Sequence, residues 1–264
     1  MKIDRSGTTL AYEKEGQGPP VVLIHGFPLN RTMWRPQIEA LRDRFTVVAP
    51  DLRGFGEAAG PVNDLTMDAY AGDVLDLLDS LGMDRVALAG FSMGGYVAFR
   101  VIAKAAGRIR SLIIAGSRAG PDSEEARQGR HKAIERIRTE GPDGFLEEFS
   151  ARLVGTATKA ARPAVLDAVR RIVGKPPASS LAAALAAMAA RPDSRPLLAT
   201  IAAPTLVIVG DEDTVMPPDA GKEIATGVQT GRLVTIPQAG HVSNLEAPEA
   251  FNKALREFLL ADRG

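Results

Sequence analysis

The chain has 264 residues, of which 45% are hydrophobic and 24% charged, and its 32 Lys and Arg balance 32 Asp and Glu to a formal net charge of zero. That composition excludes a disordered chain, which lacks the apolar side chains to bury, and a neutral chain has no general field to gather nucleic acid or anionic lipid. With no cysteine, disulfide scaffolds, thiolate zinc sites, iron–sulfur clusters and a cysteine nucleophile are excluded as well.

The opening residues, Met1-Lys2-Ile3-Asp4-Arg5-Ser6, contain no apolar stretch suited to a signal peptide. Short β-rich runs then alternate with amphipathic helical stretches. Strands are expected at 8–13, 21–24, 45–49, 86–90, 111–115, 205–209 and 233–236. Several are near-continuous apolar runs (VVLI, SLIIA, TLVIV), the pattern of strands buried on both faces of a parallel sheet. Between the third and fourth, the spacing predicts a helix over 66–81. There Met67, Tyr70, Ala71, Val74, Leu75, Leu78 and Leu81 step by three and four, and Gly82 follows as a stop. Such alternation predicts an α/β fold with a mainly parallel sheet.

From 117 to 196 the alternation lapses into helical segments broken at Gly141-Pro142, Arg162-Pro163, Pro176-Pro177 and Arg191-Pro192. This insertion is expected to lie as a lid over a core formed by 1–116 and 197–264. It carries fourteen basic against ten acidic residues, a bias that either an anionic substrate or solvated helix faces would produce. Its longest apolar run, 181–190, is ten residues, whereas a membrane helix needs about 20. A cytoplasmic protein without membrane association is expected.

The sharpest local signal is Gly90-Phe91-Ser92-Met93-Gly94, set between a buried strand and an apolar-periodic helix. This is a G-x-S-x-G nucleophile elbow in its strand–turn–helix context. Side chains two residues either side of a serine in so tight a turn would collide with their neighbours, and glycine removes the collision. A dinucleotide-binding turn would need glycine at Ser92, and no Lys follows to make a phosphate loop.

A serine nucleophile needs a base, and the chain has three histidines. His131 falls in a charged helical stretch and is expected on the surface. His25 closes the strand VVLIH and is expected to brace the following turn. His241, in the loop Gln238-Ala239-Gly240-His241 after the last strand, remains as the base. The acid that would orient it is sought in Gly210-Asp211-Glu212-Asp213, at a strand's carboxyl end, where α/β proteins place their sites. Asp213 is assigned, with Asp211 and Glu212 left to turn or surface roles. Asp51, also at a strand end, is expected to brace the loop 52–56. Oxyanion donors are expected from the backbone amides of Met93 and Phe27, since Pro28 has none to give.

The chain order of oxyanion loop, serine, acid and histidine resembles the α/β-hydrolase fold family, as do the helical insertion and the closing segment Asn244-Leu245-Glu246-Ala247-Pro248-Glu249. His25-Gly26-Phe27-Pro28-Leu29 with Trp34 and Pro36-Gln37 is similar to the branch of small carboxylesterases, cofactor-free haloperoxidases and 3-oxoadipate enol-lactonases. The resemblance implies hydrolysis without metal or organic cofactor. Ser92 at the elbow departs from haloalkane dehalogenases and epoxide hydrolases, which carry aspartate there. The insertion has neither the Trp usual in enol-lactonases nor any Tyr, only Phe145 and Phe149 as aromatics.

The expected function is thus a serine hydrolase acting on small carboxylic esters through an acyl-enzyme. Phe27, Leu29, Met93, Phe149, Leu153, Leu185 and Met188 are expected to form an apolar acyl pocket. Perhydrolysis or enol-lactone opening on the same residues is the alternative, followed by a ligand receptor built on the fold. The sequence names neither the natural ester, lactone or thioester nor the oligomeric state.

Overall fold

The computed structural model describes residues 1–5 and 7–261. The strands are β1 (Lys2–Arg5), β2 (Thr8–Glu15), β3 (Pro20–Ile24), β4 (Thr46–Pro50), β5 (Val86–Phe91), β6 (Ile109–Ala115), β7 (Thr205–Gly210) and β8 (Gly231–Ile236). They form one sheet in the order β1-β2-β4-β3-β5-β6-β7-β8. β1 and β2 pair antiparallel, as do β2 and β4, and every later pairing is parallel. The continuous apolar runs occupy the middle: β5 and β7 are buried along their whole length, because helices cover both faces. β1 is absent from the sequence-based expectation. Its residues KIDR are mostly exposed at the sheet edge, so it has no apolar run to announce it.

Helices α1 (Arg35–Leu41), α2 (Met67–Ser80) and α3 (Met93–Ala105) connect β3 to β4, β4 to β5 and β5 to β6 in turn. α2 matches the expected span within a residue at each end. The Thr66 side chain accepts from the Ala69 amide as the N-cap, and Gly82 follows at φ 63°. Its buried face is Met67, Tyr70, Ala71, Val74, Leu77 and Leu78, so Leu77 takes the place expected for Leu75 and Leu81.

Six helices follow between β6 and β7: α4 (Glu124–Glu140), α5 (Asp143–Leu153), α6 (Thr156–Ala161), α7 (Pro163–Val173), α8 (Ala178–Ala189) and α9 (Arg195–Leu198). The alanine-rich α8 is their core, with Leu181, Ala184, Leu185, Ala187 and Met188 buried. Among the described residues no single helix is long and apolar enough to cross a membrane. The chain closes with α10 (Pro218–Gly227), α11 (Ser243–Glu246) and α12 (Pro248–Ala261). The whole is a mostly parallel eight-stranded α/β sheet flanked by helices, with a helical insertion after β6.

Candidate active site

β5 delivers Ser92 at φ 52° and ψ −114°, and α3 begins at the next residue. A non-glycine residue in that conformation is strained, and the surroundings must over-determine it. They do so through backbone. The Ser92 amide donates to the Ala115 carbonyl at 2.9 Å, and the Ser92 carbonyl accepts from Gly95 N at 2.9 Å and Ser117 Oγ at 2.8 Å. The flanking glycines are steric necessities. A Cβ at Gly90 would lie 2.3 Å from the Gly94 carbonyl oxygen, and one at Gly94 would lie 2.5 Å from that of Ile24. Among the described residues, neither the Phe27 nor the Met93 amide has a protein acceptor. Met93 is the first residue of α3, where a helix leaves its N–H groups without internal partners.

Asp213 and His241 are both buried and joined at 2.7 Å between Oδ2 and Nδ1. The other carboxylate oxygen of Asp213 accepts from the amides of Val215 at 2.8 Å and Met216 at 2.7 Å, which fixes its plane. Three strands converge on the imidazole. The Phe91 ring of β5 lies 4.8 Å from it between centroids, and a Cβ on Gly116, just past β6, would come within 3.2 Å of its edge. β7, which leads into the loop carrying Asp213, passes so close to the histidine loop that a Cβ on Gly210 would meet the Gly240 carbonyl oxygen at 2.2 Å. His241 Nε2 is buried and has no hydrogen-bond partner among the described residues. It is the unengaged side of a ring held beside the residue preceding Ser92.

The remaining candidates have other partners. His25 Nε2 accepts from the Leu52 amide at 2.8 Å, so Nδ1 carries the proton and donates to the Gly26 carbonyl at 2.9 Å. Burial pushes its pKa below the usual value, keeping it neutral. Asp51 accepts from the amides of Arg31 and Glu57, each at 2.8 Å, and pairs with the Arg31 guanidinium, fastening the far end of the loop 52–56 and the segment that leads into α1. His131 is exposed on α4. Asp211 is exposed, while Glu212 accepts from the Ala157 amide of α6 at 2.9 Å and ties core to insertion.

Glu246 has more to do than its place in the closing segment suggested. Fully buried, it accepts from Gly240 N through one oxygen and Gly155 N through the other, both at 2.9 Å. It therefore links the loop carrying His241 to the α5–α6 turn. No local pattern signals this, because its partners lie on separate segments.

A cavity of about 360 Å³ opens over Ser92. Phe27, Phe149, Leu185 and Met188 line it as expected, whereas Leu29, Met93 and Leu153 are fully buried in the core. Helix α5 shows why. Phe145, Phe149 and Arg152 share the face turned to the cavity, while Leu146, Ser150 and Leu153, each one residue on, share the core face. Unforeseen members include Tyr96, Arg118, Asp122, Arg130, Arg152 and Met216. Among the described residues no three His, Asp or Glu side chains are grouped so as to hold a metal ion.

This sheet, with a strained serine at the end of its fifth strand and an acid and histidine after its seventh and eighth, defines a class. The chain belongs to the α/β hydrolase fold family, whose model matches residues 19–248. It is 42% identical to a thermophilic esterase from Thermogutta terrifontis, solved with malate bound, with a TM-score of 0.95 over 100% of this chain and 99% of that one. An enol-lactonase from Burkholderia xenovorans LB400 is 31% identical with a TM-score of 0.91, covering 98% of this chain and 100% of the other. The 3-oxoadipate enol-lactonase 1 of Acinetobacter baylyi is 29% identical over 98% of this chain and 96% of its own.

Proposed function

We propose that this hydrolase cleaves small carboxylic esters with Ser92 as nucleophile, His241 as general base and acid, and Asp213 as the residue that orients it. The observation that carries the reading is the buried 2.7 Å Asp213–His241 pair packed on Phe91, next to a serine at φ 52°, with the Met93 amide at that turn and the Phe27 amide in the loop after β3 both unengaged. Ser92 Oγ attacks the acyl carbon while its proton passes to His241 Nε2. The amides of Phe27 and Met93 receive the oxyanion. Collapse of the adduct breaks the ester C–O bond, and His241 returns the proton to the leaving alkoxide. Water, deprotonated by His241, then attacks the acyl-enzyme; the acyl–Oγ bond breaks, the acid leaves, and His241 returns the proton to Ser92 Oγ. Asp213 holds the Nδ1 proton and stabilises the imidazolium. The insertion after β6 serves as the lid that shields these steps from bulk water. A lactone is an internal ester, and the enol-lactonase relatives support including lactones among the substrates.

The test combines active-site labelling with turnover. A fluorophosphonate is expected to modify Ser92 once per chain, and p-nitrophenyl butyrate to be hydrolysed. Ser92→Ala should lower kcat/KM by about 10³-fold or more, and Asp213→Asn by orders of magnitude, while Asp211→Asn changes little. Near-normal turnover by a folded Ser92→Ala variant overturns the reading. Labelling without turnover of any ester would indicate a receptor. Peracid formation outpacing hydrolysis in acetate and hydrogen peroxide would indicate a perhydrolase.

A further inference from the structure

The cavity over Ser92 is lined by three arginines, Arg118, Arg130 and Arg152, but by one acid, Asp122. Asp122 is already committed. It pairs with Arg191 at 2.6 Å, both side chains being 3% exposed, and with Arg130 through its other oxygen. Burial pushes the Asp122 carboxyl up, but the two guanidiniums outweigh it and hold it below the usual carboxylate range. Arg130 and Arg191 are thereby paired with a carboxylate within the protein, although its single charge offsets only one of their two.

Arg118 and Arg152 are not. Among the described residues neither meets a carboxylate, and Arg118 Nε donates to Met216 Sδ at 2.9 Å, a weak acceptor. Arg152 stands in the last turn of α5, where the helix dipole favours a cation in any case. Arg118 follows the end of β6 and has no such account. Tyr96 adds a third group to the same cavity. It is 4% exposed, its hydroxyl has no hydrogen-bond partner, and the Arg191 guanidinium stacks on its ring at 4.1 Å. A buried hydroxyl without a partner costs stability unless a ligand completes it. A pocket for purely neutral esters requires none of these three groups.

Resting on the ester-hydrolase reading, we propose that the cavity selects esters carrying a second, ionised carboxylate, which Arg118 binds with the Tyr96 hydroxyl while Arg152 attracts it from the rim. The guanidinium fork matches a carboxylate in two parallel hydrogen bonds, and partial closure beneath the insertion strengthens the charge interaction relative to water. Ser92 lines the same cavity, so a substrate anchored at Arg118 presents its ester to the serine within one small volume.

Two isosteric pairs test this and locate the charge. Methyl hydrogen glutarate against methyl glutaramate places it on the acyl side, and butyryloxyacetate against butyryloxyacetamide places it on the alcohol side. In at least one pair the carboxylate should exceed its amide in kcat/KM by about tenfold or more at low ionic strength, and added salt should shrink the ratio. Arg118→Gln should collapse the ratio and Arg152→Gln should reduce it, while Arg127→Gln, exposed on α4 outside the cavity, should leave it alone. In parallel, calorimetry of methyl hydrogen glutarate and butyryloxyacetate with the Ser92→Ala protein reads binding without turnover. Binding of at least one, weakened by adding Arg118→Gln, supports the subsite even where no ester is cleaved. That outcome would sink the ester-hydrolase reading alone. Ready hydrolysis of p-nitrophenyl butyrate with no carboxylate preference in either pair, and no salt dependence, overturns the subsite and leaves the hydrolase standing.

Discussion

His25 and His241 are both buried imidazoles just beyond strand ends, and their partners separate them. His25 spends both ring nitrogens on backbone, donating to Gly26 and accepting from Leu52. His241 spends one on Asp213 and leaves the other unengaged. The pattern VVLIH-Gly26 places the first as a brace, but nothing local specifies that Nε2 accepts from Leu52. A pH dependence follows. Burial holds the native His25 pKa below 6.5, so between that native value and 6.5 the unfolded chain binds the proton more readily. The stabilisation is fully present above 6.5 and is lost as pH falls through the native pKa. Urea midpoints should therefore drop between pH 7.5 and 5.5, and the drop should be smaller for His25→Gln, which keeps an acceptor for Leu52 without a titrating ring. Equal pH slopes for the two proteins would remove His25 from that dependence.

At the scale of elements, the strand–turn–helix of β5 and α3 works because backbone approaches backbone. The motif Gly90-Phe91-Ser92-Met93-Gly94 was legible, yet the atoms that demand glycine belong partly to β3, distant in sequence. Gly94→Ala would press a methyl group against the Ile24 carbonyl at 2.5 Å and that of His25 at 2.7 Å. Neither is the end of a flexible side chain, so α3 must shift. The expected cost is about 1–3 kcal/mol in urea unfolding, accompanied by at least tenfold lower kcat as the Met93 amide moves. Gly107→Ala, where an added Cβ meets nothing within 4 Å, is the control and should change neither. A Gly94→Ala enzyme with wild-type stability and kcat would show the turn to be more yielding than its geometry. In α5 the helical period is equally plain in sequence. Which face looks toward the core is not, which is why the sequence pattern alone puts Leu153 in the pocket and misses Arg152.

At the scale of the whole molecule, the insertion and the sheet's carboxyl edge together enclose about 360 Å³. That is near the lower end of ordinary ligand sites. Each methylene buried there contributes about 0.8 kcal/mol until the chain meets the far wall. For neutral p-nitrophenyl esters, kcat/KM should rise from acetate, peak at roughly four to six acyl carbons on that per-methylene gain, and then decline. An optimum at twelve carbons or more, or activity confined to emulsified lipid, would mean that the insertion opens further than this enclosure allows.

The sequence by itself determined the alternation of elements, the buried middle strands, the limits of α2 and the candidates Ser92, Asp213 and His241. Each was written in a local pattern: an apolar run, a period of three to four, a glycine-flanked turn, an acid or histidine just past a strand. Tertiary structure alone decided that β1 pairs at the sheet edge, that Glu246 joins Gly240 to Gly155, and that Asp122 pairs with Arg130 and Arg191 while Arg118 meets no carboxylate among the described residues. Those relations join residues up to 91 positions apart. They arise from packing between segments that share no periodicity, and a buried charge or amide shows its partner only when the chain has brought the two together.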